Sequence, residues 1–264
     1  MRLGYYARLF AVQARASLTT AMQYRADFLV QGLTSLYWLG WNLVPLLVLY
    51  DDRATVAGWS FGAALVVMAH FVIVRGILEG AINPSLGAVV EQIRSGAFDY
   101  TLLRPADAQF LVSTARFAPW RVLDVLGGVG LLIYAFVRLG QGPSAAQLGA
   151  GLVLLGAGLA VMYGLWIMIV ATAFWVVRMD NLIYLLSSVF DAARWQASVF
   201  RGVWKVVFTF VIPLALMTTF PARALLGTVT WQAGIGCLFG ALLVSAVARL
   251  VWRLALRSYT SASS

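Results

Sequence analysis

From Phe28 to Tyr50 the chain reads FLVQGLTSLYWLGWNLVPLLVLY, without one charge, and closes on Asp51, Asp52 and Arg53. At about 1.5 Å per residue such a run crosses the ~30 Å hydrocarbon layer of a bilayer as a helix. Comparable runs follow from Gly58 to Ile82, Trp120 to Val137, Leu148 to Trp175 and Ala233 to Trp252. A sixth crossing is expected within Arg178 to Gly227, where Pro213 and Pro221 break the apolar pattern. That stretch reads as one span followed by a re-entrant hairpin, because irregular backbone at membrane depth must be covered by protein or line a cavity; the opposite arrangement, a surface helix followed by a span through Pro213, fits the same composition.

Composition agrees with this reading. Apolar residues make up 62% of the 264 and charged residues 11%, against roughly 25% charged in an ordinary soluble domain. The expectation is an all-α integral membrane protein of six transmembrane helices, residues 1–264 forming one transmembrane domain with no room for a large soluble one. Before the first span, residues 1–26 carry Leu3, Tyr6, Phe10, Ala14, Ser17 and Ala21 at helical spacing with Arg8 and Arg15 opposite. This is an N-terminal interfacial amphipathic helix. Arg8, Arg15 and Arg25 also interrupt any signal-peptide core.

The net charge of +9 comes without a basic run of the kind nucleic acid needs; the arginines stand between apolar segments as topology signals. Arg2, Arg8, Arg15, Arg25, Arg94, Arg104, Arg116, Arg178, Arg253 and Arg257 fall on one side of a six-span layout, which predicts both termini on the cytoplasmic side. Arg194, Arg201, Lys205 and Arg223 run against that count, falling outside or near the opposite surface. Cys237 is alone, so disulfide and zinc chemistry are excluded and packing is its expected role.

Three ionisable residues stand inside the second span: His70, Arg75 and Glu79. A proton or substrate relay is one reading. The plainer reading pairs Arg75 with Glu79 one turn apart near the span end and leaves His70 as a packed, hydrogen-bonded core residue. Scattered acids with one His and one Cys give no nucleophile and base pair, and Ser187 and Ser188 beside Asp191 read as helix-packing groups.

The longest connection, residues 83–119, lies between spans two and three. A turn at Asn83 and Pro84 is expected, then a short amphipathic helix with Leu86, Val89, Val90 and Ile93 on one side and Glu91 and Arg94 among its charges, stopped at Gly96. Asp99, Leu102, Leu103 and Arg104 follow in a compact turn ended by Pro105.

The segment IRSGAFDYTLLRP, Ile93 to Pro105, resembles the corresponding loop of ABC-2 type permeases in Ile93, Arg94, Gly96, Asp99, Leu102 or Leu103, Arg104 and Pro105. The likeness extends to the surface helix before span one and to VIPLALMTTFPARALLG, Val211 to Gly227, which is similar to the proline-containing hairpin before the last span. Gln196 departs from it, standing where many relatives carry proline. The resemblance implies a membrane subunit of an ATP-binding-cassette exporter in a bacterial plasma membrane, with a cytoplasmic coupling helix between spans two and three docking on a separate P-loop ATPase. A second permease chain, identical or paralogous, would complete the path, surrounded by membrane lipid. Glu91, Arg94, Asp99 and Arg104 would supply polar contacts and Leu102 and Leu103 apolar anchors. No Gly-x-x-x-x-Gly-Lys-Ser/Thr sequence exists and the sole lysine is Lys205, so this chain is expected to hold no cofactor, with ATP and Mg on the partner. The rival is an ion-gradient-driven secondary transporter, which places ionisable groups at the midplane of repeated halves; no internal repeat is visible here. A glycine-rich, apolar interior would suit a lipid, a hydrophobic peptide or a drug-like molecule.

Overall fold

The computed structural model describes residues 2–175, 187–195 and 215–259. Helix α1 (Arg2–Gln23) leads into α2 (Arg25–Tyr50), a two-residue hairpin β1 (Thr55–Val56) and β2 (Trp59–Ser60), and α3 (Phe61–Ile77). After a π-helical turn at Leu78–Ile82 come α4 (Asn83–Arg94), α5 (Asp99–Leu102), α6 (Ala108–Ser113), α7 (Val122–Leu139) and α8 (Ala145–Thr172). A second π-helical turn, Ala215–Thr219, precedes α9 (Phe220–Leu225), and α10 (Trp231–Ser258) closes the bundle.

Among the described residues, five helical stretches are long and apolar enough to cross a membrane: 25–50, 61–94, 119–139, 145–172 and 231–258. They coincide with five of the six expected spans. The expected fifth span and the first part of the expected hairpin lie largely outside the described residues; within 215–225 the chain forms the π-helical turn and α9, both mostly buried.

Helix α3 is apolar all round, and Ala64 to Val74 are almost wholly shielded, so it forms the centre of the bundle. Helix α7 runs antiparallel along it: a Cβ on Gly62 would meet Leu139, one on Gly76 would meet Val125, and one on Gly128 would come within 3.0–3.1 Å of the Ile73 nitrogen and the Ala69 oxygen. Backbone thus meets backbone, the small-residue route to helix association in lipid. On the other side α8 takes the π-helical turn 215–219 just as closely at Gly158, where Leu216 O and Met217 Cα are the obstacles. The glycine-rich fourth span is the packed helix its composition predicts. A Cβ on Gly236, by contrast, would meet nothing within 4 Å among the described residues.

At one end the connections are short. Ala57 and Gly58, both at positive φ, turn the hairpin; Gly140 ends α7 at φ +69, and Ser144 with Gln147 forms a capping box opening α8. At the other end α1, the connection 83–119 and the last turns of α10 meet. The expected turn at Asn83 and Pro84 is not there. Helix α3 continues through the π-helical turn into α4; Pro84 stands at the start of α4, and the Gly80 oxygen, four residues before it, accepts from the Ala118 N–H at 2.8 Å.

Candidate functional site

The α4–α6 segment is built from local signals. Gly96 adopts φ +73, the left-handed conformation that terminates α4. Phe98 turns inward and is fully buried, with its ring 5.3 Å from Phe174, 5.4 Å from Tyr259 and 6.4 Å from Trp252. One aromatic side chain thereby fastens the loop to the ends of α8 and α10. The next turns face outward: Tyr100 is 73% and Leu103 80% exposed. Glu91, Arg94, Leu102, Arg104 and Pro105 are also exposed, whereas Gly96 and Asp99 are half-buried.

A polar lattice holds the second half of the segment. The Asp107 side chain accepts from the Phe110 N–H, capping α6, and takes a two-pronged grip from Arg249 of α10. Arg249 also donates to Gln109 Oε1, Gln109 Nε2 donates to the Tyr163 hydroxyl of α8 at 2.9 Å, and Ser113 Oγ lies 2.7 Å from that hydroxyl. The Arg249 guanidinium, helped by the Phe110 N–H, holds the Asp107 carboxyl below the usual carboxylate range against the burial that raises it. Helix α1 adds a third attachment. Tyr6 accepts from the Asp107 N–H at 3.1 Å, Thr114 Oγ1 donates to Gln13 Oε1 at 2.6 Å, Ser17 accepts from the Phe117 N–H at 3.1 Å, and Phe10 packs edgewise on Phe117. The face of α1 marked by Tyr6, Phe10 and Ser17 therefore rests on the loop.

A sequence pattern shared by ABC-2 family transporter proteins matches residues 36–263. The chain belongs to the ABC-2 transporter family. Family membership makes it a multi-pass membrane transport component and not itself a catalyst. No curated protein and no solved structure matches the chain.

Among the described residues, His70, Arg75 and Glu79 of this ABC-2 protein form no hydrogen bond or ion pair with one another. His70 is buried and its Nδ1 lies 2.8 Å from Val66 O, the packed-histidine arrangement. The expected Arg75–Glu79 pair is not formed. Arg75 faces Asp191 at 3.7 Å, and Glu79 accepts from Asn83 Nδ2 at 2.8 Å, while Asn83 in turn receives Trp166 Nε1. The π-helical turn between residues 75 and 83 breaks the simple register on which an i, i+4 pairing depends. Arg194 packs against neighbouring elements: its Nη1 lies 3.3 Å from Asn42 Oδ1 and its Nη2 3.8 Å from Asp191. Sequence reasoning passed over Phe98, Asp107, Gln109, Tyr163 and Arg249. An arginine inside the last apolar run was the available signal, since a charge there demands a partner.

Proposed function

We propose that this chain is the membrane subunit of an ATP-binding-cassette exporter of a bacterial plasma membrane, with both termini cytoplasmic. Its α4–α6 segment is the coupling element for a separate P-loop ATPase that carries ATP and Mg, and a second permease chain, identical or paralogous, completes the substrate path. The observation that carries the reading is the asymmetry of this segment. Its tip, Tyr100 to Pro105, offers exposed apolar and charged side chains, while Phe98, Asp107 and Gln109 bind its base to α8 and α10.

A partner that seats Leu102 and Leu103 in an apolar pocket and pairs with Glu91, Arg94, Asp99 or Arg104 could push on this tip. The push would reach two spans through rigid contacts instead of being absorbed by a loose loop. The concentration of Arg8, Arg15, Arg25, Arg94, Arg104, Arg116, Arg253 and Arg257 toward the same end supports the cytoplasmic orientation.

The test is purification of the tagged chain from mildly solubilised native membranes, with ATP hydrolysis assayed for the wild type and for Glu91→Lys with Arg94→Glu. Co-purification of a stoichiometric P-loop ATPase, lost in the double charge reversal, is the expected result. Transport driven by an ion gradient with no ATPase partner would overturn it.

A further inference from the structure

Arg75 stands fourteen residues into α3, about 21 Å from its Phe61 end at 1.5 Å per residue, well inside a layer about 30 Å thick. Its guanidinium carries five N–H donors. Among the described residues its charge partner is Asp191, at 3.7 Å, beyond hydrogen-bond length. Arg194 faces the same carboxylate at 3.8 Å and spends its Nε on the Asp191 backbone oxygen at 2.8 Å. The two guanidinium carbons lie 5.9 Å and 5.6 Å from the centroid of the buried Phe71 ring, and Phe190 stacks on that ring. Two arginines thus share one carboxylate, neither gripping it directly, and one aromatic ring holds both in place.

Intramembrane arginines ordinarily satisfy their donors with carboxylates, carbonyls or water. Here the Arg75 side chain is 33% and that of Arg194 24% exposed, so the unused donors can be reached.

We infer that Arg75 and Arg194, held on Phe71 and flanked by Asn42 and Asp191, form a binding site for the carboxylate or phosphate group of a transported anionic amphiphile. Asp191 acts as a removable counter-ion. It keeps the empty site from carrying two uncompensated charges, and its long contacts leave the Arg75 donors and the Arg194 Nη2 open to an entering anion, while Arg194 Nε and Nη1 are held by the Asp191 backbone oxygen and Asn42. This deepens the transport reading by naming a substrate class, and it does not require an ATPase.

The experiment uses the full chain in phosphatidylcholine nanodiscs without nucleotide or partner, so it fails independently of the coupling proposal. Dodecyl phosphate, inorganic phosphate and dodecyltrimethylammonium are titrated and read by native mass spectrometry. Dodecyl phosphate should bind at least tenfold more tightly than the cation, and Arg75→Gln should weaken it about tenfold, whereas Arg75→Lys, keeping the charge, should lose only about threefold. Asp191→Asn should tighten binding. Weak binding of inorganic phosphate beside tight binding of dodecyl phosphate would place the source in an amphiphile; equal, Arg75-dependent binding of both would support the anion site with a free anion as its source. Dodecyl phosphate affinity unchanged in a monodisperse Arg75→Gln protein, or equal to that of the cation, would overturn the inference.

Discussion

The two ends of the bundle are constructed on different plans. At the end holding the hairpin and the 140–144 connection, the turns are set mainly by neighbours in sequence, a positive-φ pair at Ala57 and Gly58, a left-handed Gly140 and the Ser144–Gln147 box, with Arg223 over the Trp59 ring as a longer tie. At the end holding α4–α6, the joints are closed by residues far apart in the chain: Phe98 with Trp252 and Tyr259, Asp107 with Arg249 and Tyr6, Gln109 with Tyr163. Local closure keeps spans together. Long-range closure also ties a surface segment to the ends of two spans, which is the arrangement the proposed coupling to an ATPase needs.

The largest effect should come from Phe98→Ala, which removes a fully buried aromatic and should cost about 3–5 kcal/mol, read as a large fall in unfolding temperature in detergent together with lost ATPase stimulation. The pair Asp107→Asn and Arg249→Gln should show a coupling of about 1 kcal/mol in a double-mutant cycle, modest because both side chains are partly exposed, yet each should uncouple the chain from its partner. Ser144→Ala at the opposite end should cost a similar ~1 kcal/mol through its lost cap and leave partner binding unchanged; equal uncoupling by Ser144→Ala would break the comparison. Leu103→Asp should be smallest in stability, within about 0.5 kcal/mol for an exposed site, while strongly reducing co-purification of the ATPase.

The Asp107 carboxyl titrates below its ordinary range because Arg249 grips it. Its contribution is therefore complete above the unfolded carboxylate value of about 3.9 and is lost as pH falls through the lower folded value. The stability gap between wild type and Asp107→Asn should stay flat from pH 8 to 5 and shrink only below about pH 4.

Apolar run length made five spans legible in the sequence, and helical spacing with a stop at Gly96 made α1 and α4 legible, because these signals are local. Residues 176–186 and 196–214, which cover most of the expected fifth span, lie outside the described residues. The Asn83 turn was misread because Pro84 is equally at home opening a helix. The Arg75–Glu79 pairing failed for a related reason, since no spacing rule announces a π-helical turn. The anchors of the loop were invisible as a group: Phe98, Asp107, Tyr163 and Arg249 are brought together only by packing, and only Arg249, a charge inside an apolar run, carried a warning on its own.

The central claim is that the α4–α6 tip, and not the opposite end, meets the ATPase. The most direct test places a photo-crosslinking amino acid at Leu103 in one variant and at the exposed Gln141 in another, irradiates intact cells, and identifies the adducts. A P-loop ATPase captured from Leu103 and not from Gln141 is the predicted result. Capture from Gln141, or no ATPase from Leu103 in a chain that still transports, would contradict the account.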